Sequence, residues 1–445
     1  MNKTKFLFVL IKRIKSSLNI TVLWCGFCCL LLIFIFPITF NFTLAAESLN
    51  PENNPGELEI FSWWTAPGEE QGLQYLMDSF QKEYPHINVV NAAVEGGAGI
   101  NAKDVLKIRL LRDRPPDTFQ VHGGAELKDT FIAGDYLSPI TDLWQAQGWR
   151  ESFFSEIAEM VEVEGEYYSL PVTIHRANRL WYNQNIFSKH DISPPGTPRE
   201  LAETAEQLAE KDITPLALSS RNLWPTTHLF ETLLAAVATA EEYNSLVTGE
   251  KSWQSPPVEE TLKYLQEILA YVNPDHAGLN WHQACERVLE EKAAMTVMGT
   301  WARGFFNARG AEKGEDYGAA VINSEQPVFL LVVDTFALPA EAAQSEYTYR
   351  WLEQAAEPRV QKKFTEILGA VPPHKDIAVE ELTPGIAEDR KDLQRSQLVP
   401  SLVHGAAARE VFISALNEEL NVFLYENEIF ETMKELENLA EIYLR

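Results

Sequence analysis

The sequence predicts an α/β fold built in more than one lobe, and three observations carry that prediction. At 445 residues the chain is too long for one compact core, since domains usually run to about 100–200 residues. Its 46% hydrophobic and 23% charged residues are those of a well-folded globular body. Between Leu58 and Val121, strand-like and helix-like patterns alternate, as in a parallel sheet covered by helices.

In chain order, Glu47 to Glu57 is polar and rich in Asn and Pro, and reads as a linker. Leu58 to Ser62 reads as a strand ending in Trp63-Trp64. Gly72 to Glu83 spaces Leu73, Leu76, Met77 and Phe80 as one face of a helix, and Tyr84-Pro85 stops it. Ile87 to Val94 is a second strand. Asn101 to Arg114 is a helix opened by a capping Asn and closed by Pro115-Pro116, and Thr118 to Val121 is a third strand. The Gly96-Gly97-Ala98-Gly99 stretch lacks dinucleotide spacing and reads as a loop. From Thr197 to Tyr317 the pattern is mostly helical, with amphipathic segments at Val258 to Tyr271 and Trp281 to Lys292. Val328 to Pro339 reads as a buried strand interrupted by Asp334. A helix over Glu346 to Phe364 follows, and the chain is helical again after Pro372.

The N-terminal segment is basic from Lys3 to Lys15, apolar from Ile20 to Phe36, and reaches small residues at Ala45-Ala46. It reads as a secretory signal cut after Ala45 or Ala46, or as an uncleaved membrane anchor, because its apolar run approaches the roughly 18 residues that span a bilayer. Either way the body lies outside the cytoplasm. Cys25, Cys28 and Cys29 fall inside this run without the small preceding residue that a lipidation site needs. The body keeps only Cys285, so neither an internal disulfide nor a cysteine metal cluster is expected. A net charge of −27 disfavours nucleic acid, anionic membranes and anionic ligands.

No phosphate-loop, H-E-x-x-H or G-x-S-x-G motif is present, so neither a cofactor nor catalytic residues are expected. Carboxylate pairs for glycoside hydrolysis stay open, since 64 acidic residues allow chance encounters. What stands out are aromatic and polar residues at strand ends, where open α/β sheets bind ligands. Trp63 and Trp64 end the first strand, with Glu69 in a Pro-Gly turn after it. Gln120 and His122 end the third. Asp334 sits in the late apolar run, Trp301 follows Gly299-Thr300, Trp224 lies in a loop-like stretch, and His404 precedes Gly405. Sugars need this mixture, because indole faces stack on pyranose C–H faces while carboxylates, amides and neutral imidazoles bond the hydroxyl rim. Each tryptophan taken alone reads equally as core; a carboxylate inside an apolar run needs partners.

Together LEIFSWW (58–64), the segment from Asn91 to Arg109, PPDTFQVHG (115–123), PVTIHRANRLWY (171–182), VMGTWARGF (297–305), DTFALP (334–339) and LVHG (402–405) resemble the solute-binding proteins of carbohydrate ABC importers, in particular their glucose/mannose-binding branch. The resemblance implies a two-lobed periplasmic-binding-protein fold of type II, with a ligand cleft at a hinge crossed several times. It implies that 58–174 with 323–367 form one lobe and 175–322 with 368–445 the other. Trp63 and Trp64 would pack on the sugar, Trp224 and Trp301 would add to it from the second lobe, and Glu69, Gln120, His122, Asp334 and His404 would bond hydroxyls. The implied partners are a small neutral saccharide or glucoside and permease subunits with a separate ATPase. Where the family carries a lysine, this chain has Leu368, and the loss of that donor is expected to favour a glucoside over free glucose. A glycoside-active enzyme and a sugar sensor are the competing expectations.

Overall fold

The computed structural model describes residues 56–96, 100–323, 327–342 and 346–445. The N-terminal segment with its three cysteines, most of the linker and residues 97–99 of the glycine-rich stretch lie outside the described residues.

Strand β1 (Gly56–Phe61) takes in Gly56 and Glu57, which the sequence placed in the linker, and buries Leu58, Ile60 and Phe61. Helix α1 (Glu69–Glu83) buries Leu73, Leu76, Met77 and Phe80, the face that the spacing predicts. It starts earlier than predicted, so Glu69 opens the helix rather than sitting in a turn. Gly68 makes this entry at φ 87°, and a Cβ there would lie 2.4 Å from the Gly304 carbonyl carbon. Strand β2 (Ile87–Asn91), helix α2 (Ile100–Leu111) and strand β3 (Thr118–His122) complete the alternation, with β1 parallel to both neighbouring strands. β2 stops at Asn91 rather than Val94, and α2 at Leu111 rather than Arg114.

The middle of the chain holds strands β4 (Ser169–Arg176) and β5 (Arg179–Asn183), then helices α3 (Pro198–Ala209), α4 (Trp224–Val237), α5 (Pro256–Leu269) and α6 (Trp281–Leu289). Trp224 is therefore the first residue of a helix, not a loop residue. Strand β6 (Met295–Val297), helix α7 (Trp301–Ala308) and strand β7 (Tyr317–Val321) follow, and β5 sits between β6 and β7 in a small antiparallel sheet. Strand β8 (Val328–Ala337) is continuous and wholly buried. Asp334 does not interrupt it; the side chain only marks a shift of register against β4. The helix expected over Glu346 to Phe364 is two, α8 (Glu346–Ala355) and α9 (Pro358–Leu368). Pro358 has no N–H to continue α8 and takes the first position of α9 instead. Helix α10 (Pro384–Arg395), strand β9 (Gln397–Pro400) and helices α11 (Glu410–Glu426) and α12 (Ile429–Tyr443) end the chain.

The main sheet runs β9-β8-β3-β1-β2, with β4 on the other edge of β8. The result is a two-lobed α/β fold. One core gathers Leu58, Ile60, Leu73, Phe80, Phe119 and Trp351. A second gathers Trp181, Leu233, Trp253, Leu265, Met295 and Phe412. β8 serves both, with Phe336 and Ala337 in the first and Val328, Leu330 and Val332 in the second, while Phe329, Leu331 and Val333 join a smaller core around Ile174 and Ile386.

Where β4 passes into β5, buried charges are paired. Arg176 donates to Asp392 at 2.6 Å, and Arg179 and Arg303 both donate to Asp389. Burial raises the Asp389 carboxyl, but the two guanidiniums overcome that and hold it at about 2.

Candidate functional site

Between the two lobes lies a small cavity of about 30 Å³, lined by Trp63, Trp64, Glu69, His122, His175, Trp224, Trp281, Trp301, Val332, Asp334 and His404. Trp63 and Trp64 belong to the first core, and Trp224, Trp281 and Trp301 to the second. Eight of the nine residues singled out in the sequence meet here. The walls are built by strand ends on one side and by the first turns of α4, α6 and α7 on the other.

The antiparallel register of β3 on β8 sets Asp334 opposite His122. Asp334 Oδ1 accepts from Gln120 Nε2 at 2.7 Å, and Oδ2 from the Thr173 hydroxyl at 2.6 Å. His122 Nε2 and His175 Nε2 lie 3.7 and 3.6 Å from its two oxygens. Gln120 is the residue that does not reach the cavity. Its Oε1 accepts from the Ser62 hydroxyl and the Trp63 N–H while one Nε2 N–H is donated to Asp334. In this structure Gln120 stands behind the wall and positions Asp334 and the turn into Trp63.

Trp64 stands edge-on to Phe336 and Phe364, at 5.8 and 5.3 Å between ring centres. The Trp63 ring lies 4.8 Å from that of His122, and Lys103 Nζ sits over the Trp63 ring, 5.6 Å from its centre. On the opposite wall, His404 is ringed by Trp301 at 4.9 Å, His228 at 5.3 Å and Trp224 at 5.4 Å. Trp224 Nε1 is buried with no hydrogen-bond partner among the described residues, which leaves a donor ready for a ligand oxygen.

Four residues of this site escaped the sequence reading. His175 lies in the middle of β4. Trp281 opens α6. His228 and Glu231 sit one turn apart on α4, whose apolar surroundings (THLFETLLAAV) read as plain core. His228 Nδ1 is 3.2 Å from His404 Nε2. Glu231 accepts from the Tyr243 hydroxyl at 2.5 Å, from Ser401 Oγ at 3.0 Å and from the Leu402 N–H, and so fixes the loop that carries His404. The signal for both was polarity within an otherwise buried helix, since a buried carboxylate must find donors. Leu368 lies off the cavity wall. It lies in the first core, 1% exposed, with its Cδ1 1.9 Å from where a Cβ on Gly72 would stand. It fills a helix contact and opens no room in the cavity.

Burial lowers three of the imidazoles, His175 to about 4, His228 to about 3, and His404 well below its ordinary value, the last also repelled by His228 and His122. Burial raises the Glu126 carboxyl, yet Lys103 and His122 overcome this and hold it at about 2. Burial pushes the Glu69 carboxyl up to about 8, against the pull of the Ala66 N–H; part of its surface stays accessible, so water moderates the rise. The closed cleft thus holds neutral imidazoles. Their contribution to closure is complete above pH 6.5 and is lost as pH falls from 6.5 towards the lowered values. Glu69 acts in the opposite sense, its protonated form favouring closure as pH falls from about 8 towards 4.5. Glu126 protonates only below this range. In a Glu69→Gln variant the bonded His228–His404 pair, taken as one unit, and His175 should each weaken ligand affinity about tenfold between pH 7.5 and pH 5.5, about 100-fold together. In the wild type Glu69 offsets that fall. Calorimetric titration reads both, and an affinity that stays flat in the variant would show that these imidazoles never meet water in the open form.

Among the described residues no three His, Cys, Asp or Glu side chains are arranged to hold a metal ion. The arrangement can grip a small ring compound with hydroxyls.

Residues 55–362 match the family model of bacterial extracellular solute-binding proteins. An uncharacterised ABC-transporter extracellular-binding protein of Pyrococcus horikoshii is 39% identical over 386 residues, covering 86% of this chain and 87% of the relative. A xylose/arabinose-binding protein of Haloferax volcanii is 25% identical over 367 residues, covering 81% and 79%. Among solved structures, a bacterial solute receptor described as preferring β-D-galactopyranose superposes with a TM-score of 0.78 at 17% identity, covering 88% of this chain and 100% of that one. A chitin-oligosaccharide-binding protein superposes at 0.76 and 19% identity, covering 88% and 99%. With a family model matched over more than half its length and a relative of this identity, the chain belongs to the bacterial extracellular solute-binding protein family.

Proposed function

We propose that this chain is the extracytoplasmic sugar-binding subunit of an ABC importer, closing on one small neutral saccharide and doing no chemistry on it. The observation that carries this is the composition of the cavity wall, where tryptophans from both lobes face hydroxyl-bonding groups. The relatives named for xylose and arabinose, and those named as sugar-binding periplasmic proteins in Mesorhizobium japonicum and Brucella suis, support a carbohydrate ligand. A neutral ligand fits three buried neutral imidazoles and an acidic body. The motifs around His122, Asp334 and His404 favour the glucose/mannose-binding branch, and the ligands to try are a hexose, glucosylglycerol, sucrose and trehalose.

In this reading 58–174 with 323–367 and 175–322 with 368–445 are the halves that shut. Ligand contacts to both halves favour the closed state, which a permease with a separate ATPase then unloads. Residues 1–46 direct the body outside the cytoplasm or tether it to the membrane. A thermal-shift screen followed by calorimetry with glucose, glucosylglycerol, sucrose and trehalose tests the reading. One of them at 100 times its dissociation constant should stabilise the protein by about 2.7 kcal/mol and be recovered intact. Sugar products in place of the intact ligand would make Glu69 and Asp334 a glycosidase pair, and no response to any saccharide would end the proposal.

A further inference from the structure

His122 and His175 flank Asp334 on the cavity wall, with their Nε2 atoms 3.7 and 3.6 Å from its Oδ1 and Oδ2. Neither distance makes a hydrogen bond. What each ring shows a ligand therefore depends on which of its nitrogens carries the hydrogen, and the Nδ1 atoms have different partners. His122 Nδ1 lies 3.0 Å from Glu126 Oε2, which also accepts from Lys103 Nζ at 2.5 Å. With its carboxyl at about 2, Glu126 is ionised and can only accept. It is also pinned. Its N–H donates to the Gly405 carbonyl at 2.7 Å, its Oε1 accepts from the His122 N–H at 3.4 Å, and a Cβ on Gly405 would stand 2.5 Å from its Oε2. His122 Nδ1 thus carries a hydrogen, and Nε2 of the neutral ring is a bare acceptor.

His175 is held the other way. Its Nδ1 lies 2.9 Å from Thr300 Oγ1. That hydroxyl accepts from the Arg176 N–H at 3.2 Å and makes no other hydrogen bond among the described residues. Thr300 is 1% exposed, and a buried hydroxyl gives its hydrogen where an acceptor stands. The acceptor here is His175 Nδ1. Burial lowers this imidazole to about 4, so the neutral ring keeps its one hydrogen on Nε2.

We propose that Glu126 and Thr300 hold these two histidines in opposite tautomers and so decide which ligand hydroxyls the wall takes. Both are positioning residues, each acting through the ring it touches. This deepens the sugar-binding reading above and rests on it. Around Asp334 the wall offers two acceptors, His122 Nε2 and the carboxylate, beside one donor, His175 Nε2–H. Two acceptors with no hydrogen between them repel until a ligand supplies one. The wall therefore asks a saccharide for hydroxyl hydrogens on the His122 side and gives one on the His175 side.

Lys103 makes the arrangement testable. A lysine has only hydrogens to give, so in Glu126→Gln it claims the amide oxygen. The amide NH2 then faces His122 Nδ1, which has to accept, and the ring hydrogen moves to Nε2. With Lys103→Met added, the amide can turn its oxygen to His122, and the first tautomer returns.

The full chain with isotope-labelled histidine, as wild type, E126Q and K103M/E126Q, is read at pH 7.5 by nitrogen NMR, which reports the nitrogen that carries each ring hydrogen. H122N and H175N assign the signals. Calorimetry gives the dissociation constant of the tightest-binding of glucose, glucosylglycerol, sucrose and trehalose. In the wild type His122 should carry its hydrogen on Nδ1 and His175 on Nε2. E126Q should move that of His122 to Nε2 and weaken binding at least tenfold. K103M/E126Q should return the hydrogen to Nδ1 and the affinity to within threefold of the wild type. If Glu126 only supports the fold, E126Q leaves the His122 tautomer unchanged, or the double variant binds no better than E126Q; either result overturns the assignment. So does a wild type whose two rings carry the hydrogen on the same nitrogen, or whose His122 carries two. A wild type that binds none of the four sugars overturns the importer reading and the ligand role with it, even where the tautomers are as stated.

Discussion

Replacing Asp334 with alanine should weaken saccharide binding about 100-fold. Asp334 is 4% exposed and stands at the cavity wall with both oxygens occupied, by Gln120 and by Thr173. Hydrogen bonds to a charged group contribute about 1.5–3 kcal/mol each. In the proposed reading the substitution removes an acceptor for the ligand, and it leaves the Gln120 amide free to turn away from Trp63, whose N–H and neighbour Ser62 it holds. A loss of about 2.7 kcal/mol, within the range of one such bond, is the stated 100-fold. Asparagine keeps the shape and one acceptor, so Asp334→Asn should lose only about tenfold. Calorimetry with the best of the four sugars reads both, and a dissociation constant within threefold of the wild type in the alanine variant would show that the ligand does not use this carboxylate.

The largest stability effect belongs to Asp389. It is fully buried and takes hydrogen bonds from Arg179 on β5 and Arg303 on α7. Removing one partner of a buried ion pair costs about 3–5 kcal/mol, since it leaves a charge without compensation; here Arg179 would keep only Glu388, and Arg303 only the Gly369 and Gly385 carbonyls. Asp389→Ala should therefore lower unfolding free energy by about that amount in urea titrations. The pH dependence has a matching sign. With its carboxyl held at about 2 against an ordinary 3.8, Asp389 adds stability that is complete above 3.8 and is lost as pH falls towards 2. That loss should be missing in the variant. A wild-type-like midpoint for Asp389→Ala would mean that the arginines find other partners.

How far the chain could be read before its structure depended on which signal was local. The β1-α1-β2-α2-β3 run was legible because apolar spacing and terminal prolines both act within one element. The small sheet of β5, β6 and β7 was not, because β6 has three residues and its pairing with β5 bridges more than a hundred positions. The unbroken course of β8 was missed for a related reason. A carboxylate in an apolar run looks like an interruption until its donors, Gln120 and Thr173, are found on two other strands. The break at Pro358 was written in the sequence, since proline seldom continues a helix, and was overridden by the apolar pattern on either side. At the site, Trp63 and Trp64 were legible because they follow a strand end, whereas Trp224 and Trp301 open helices and were marked by the resemblance. His228 and Glu231 hid in a helix whose apolar neighbours spoke louder, and Gln120 could be placed near the ligand but not behind Asp334.

One strand has a mechanical meaning for the molecule as a whole. Because β8 threads all three cores and also carries Asp334, neither half owns a hydrophobic interior that the other could lose without harm. Melting of one lobe would pull that strand from its neighbour, so heat or denaturant should meet a single cooperative unit and not two modules joined by a tether. The amide protons along this shared strand should be the last in the protein to exchange with solvent.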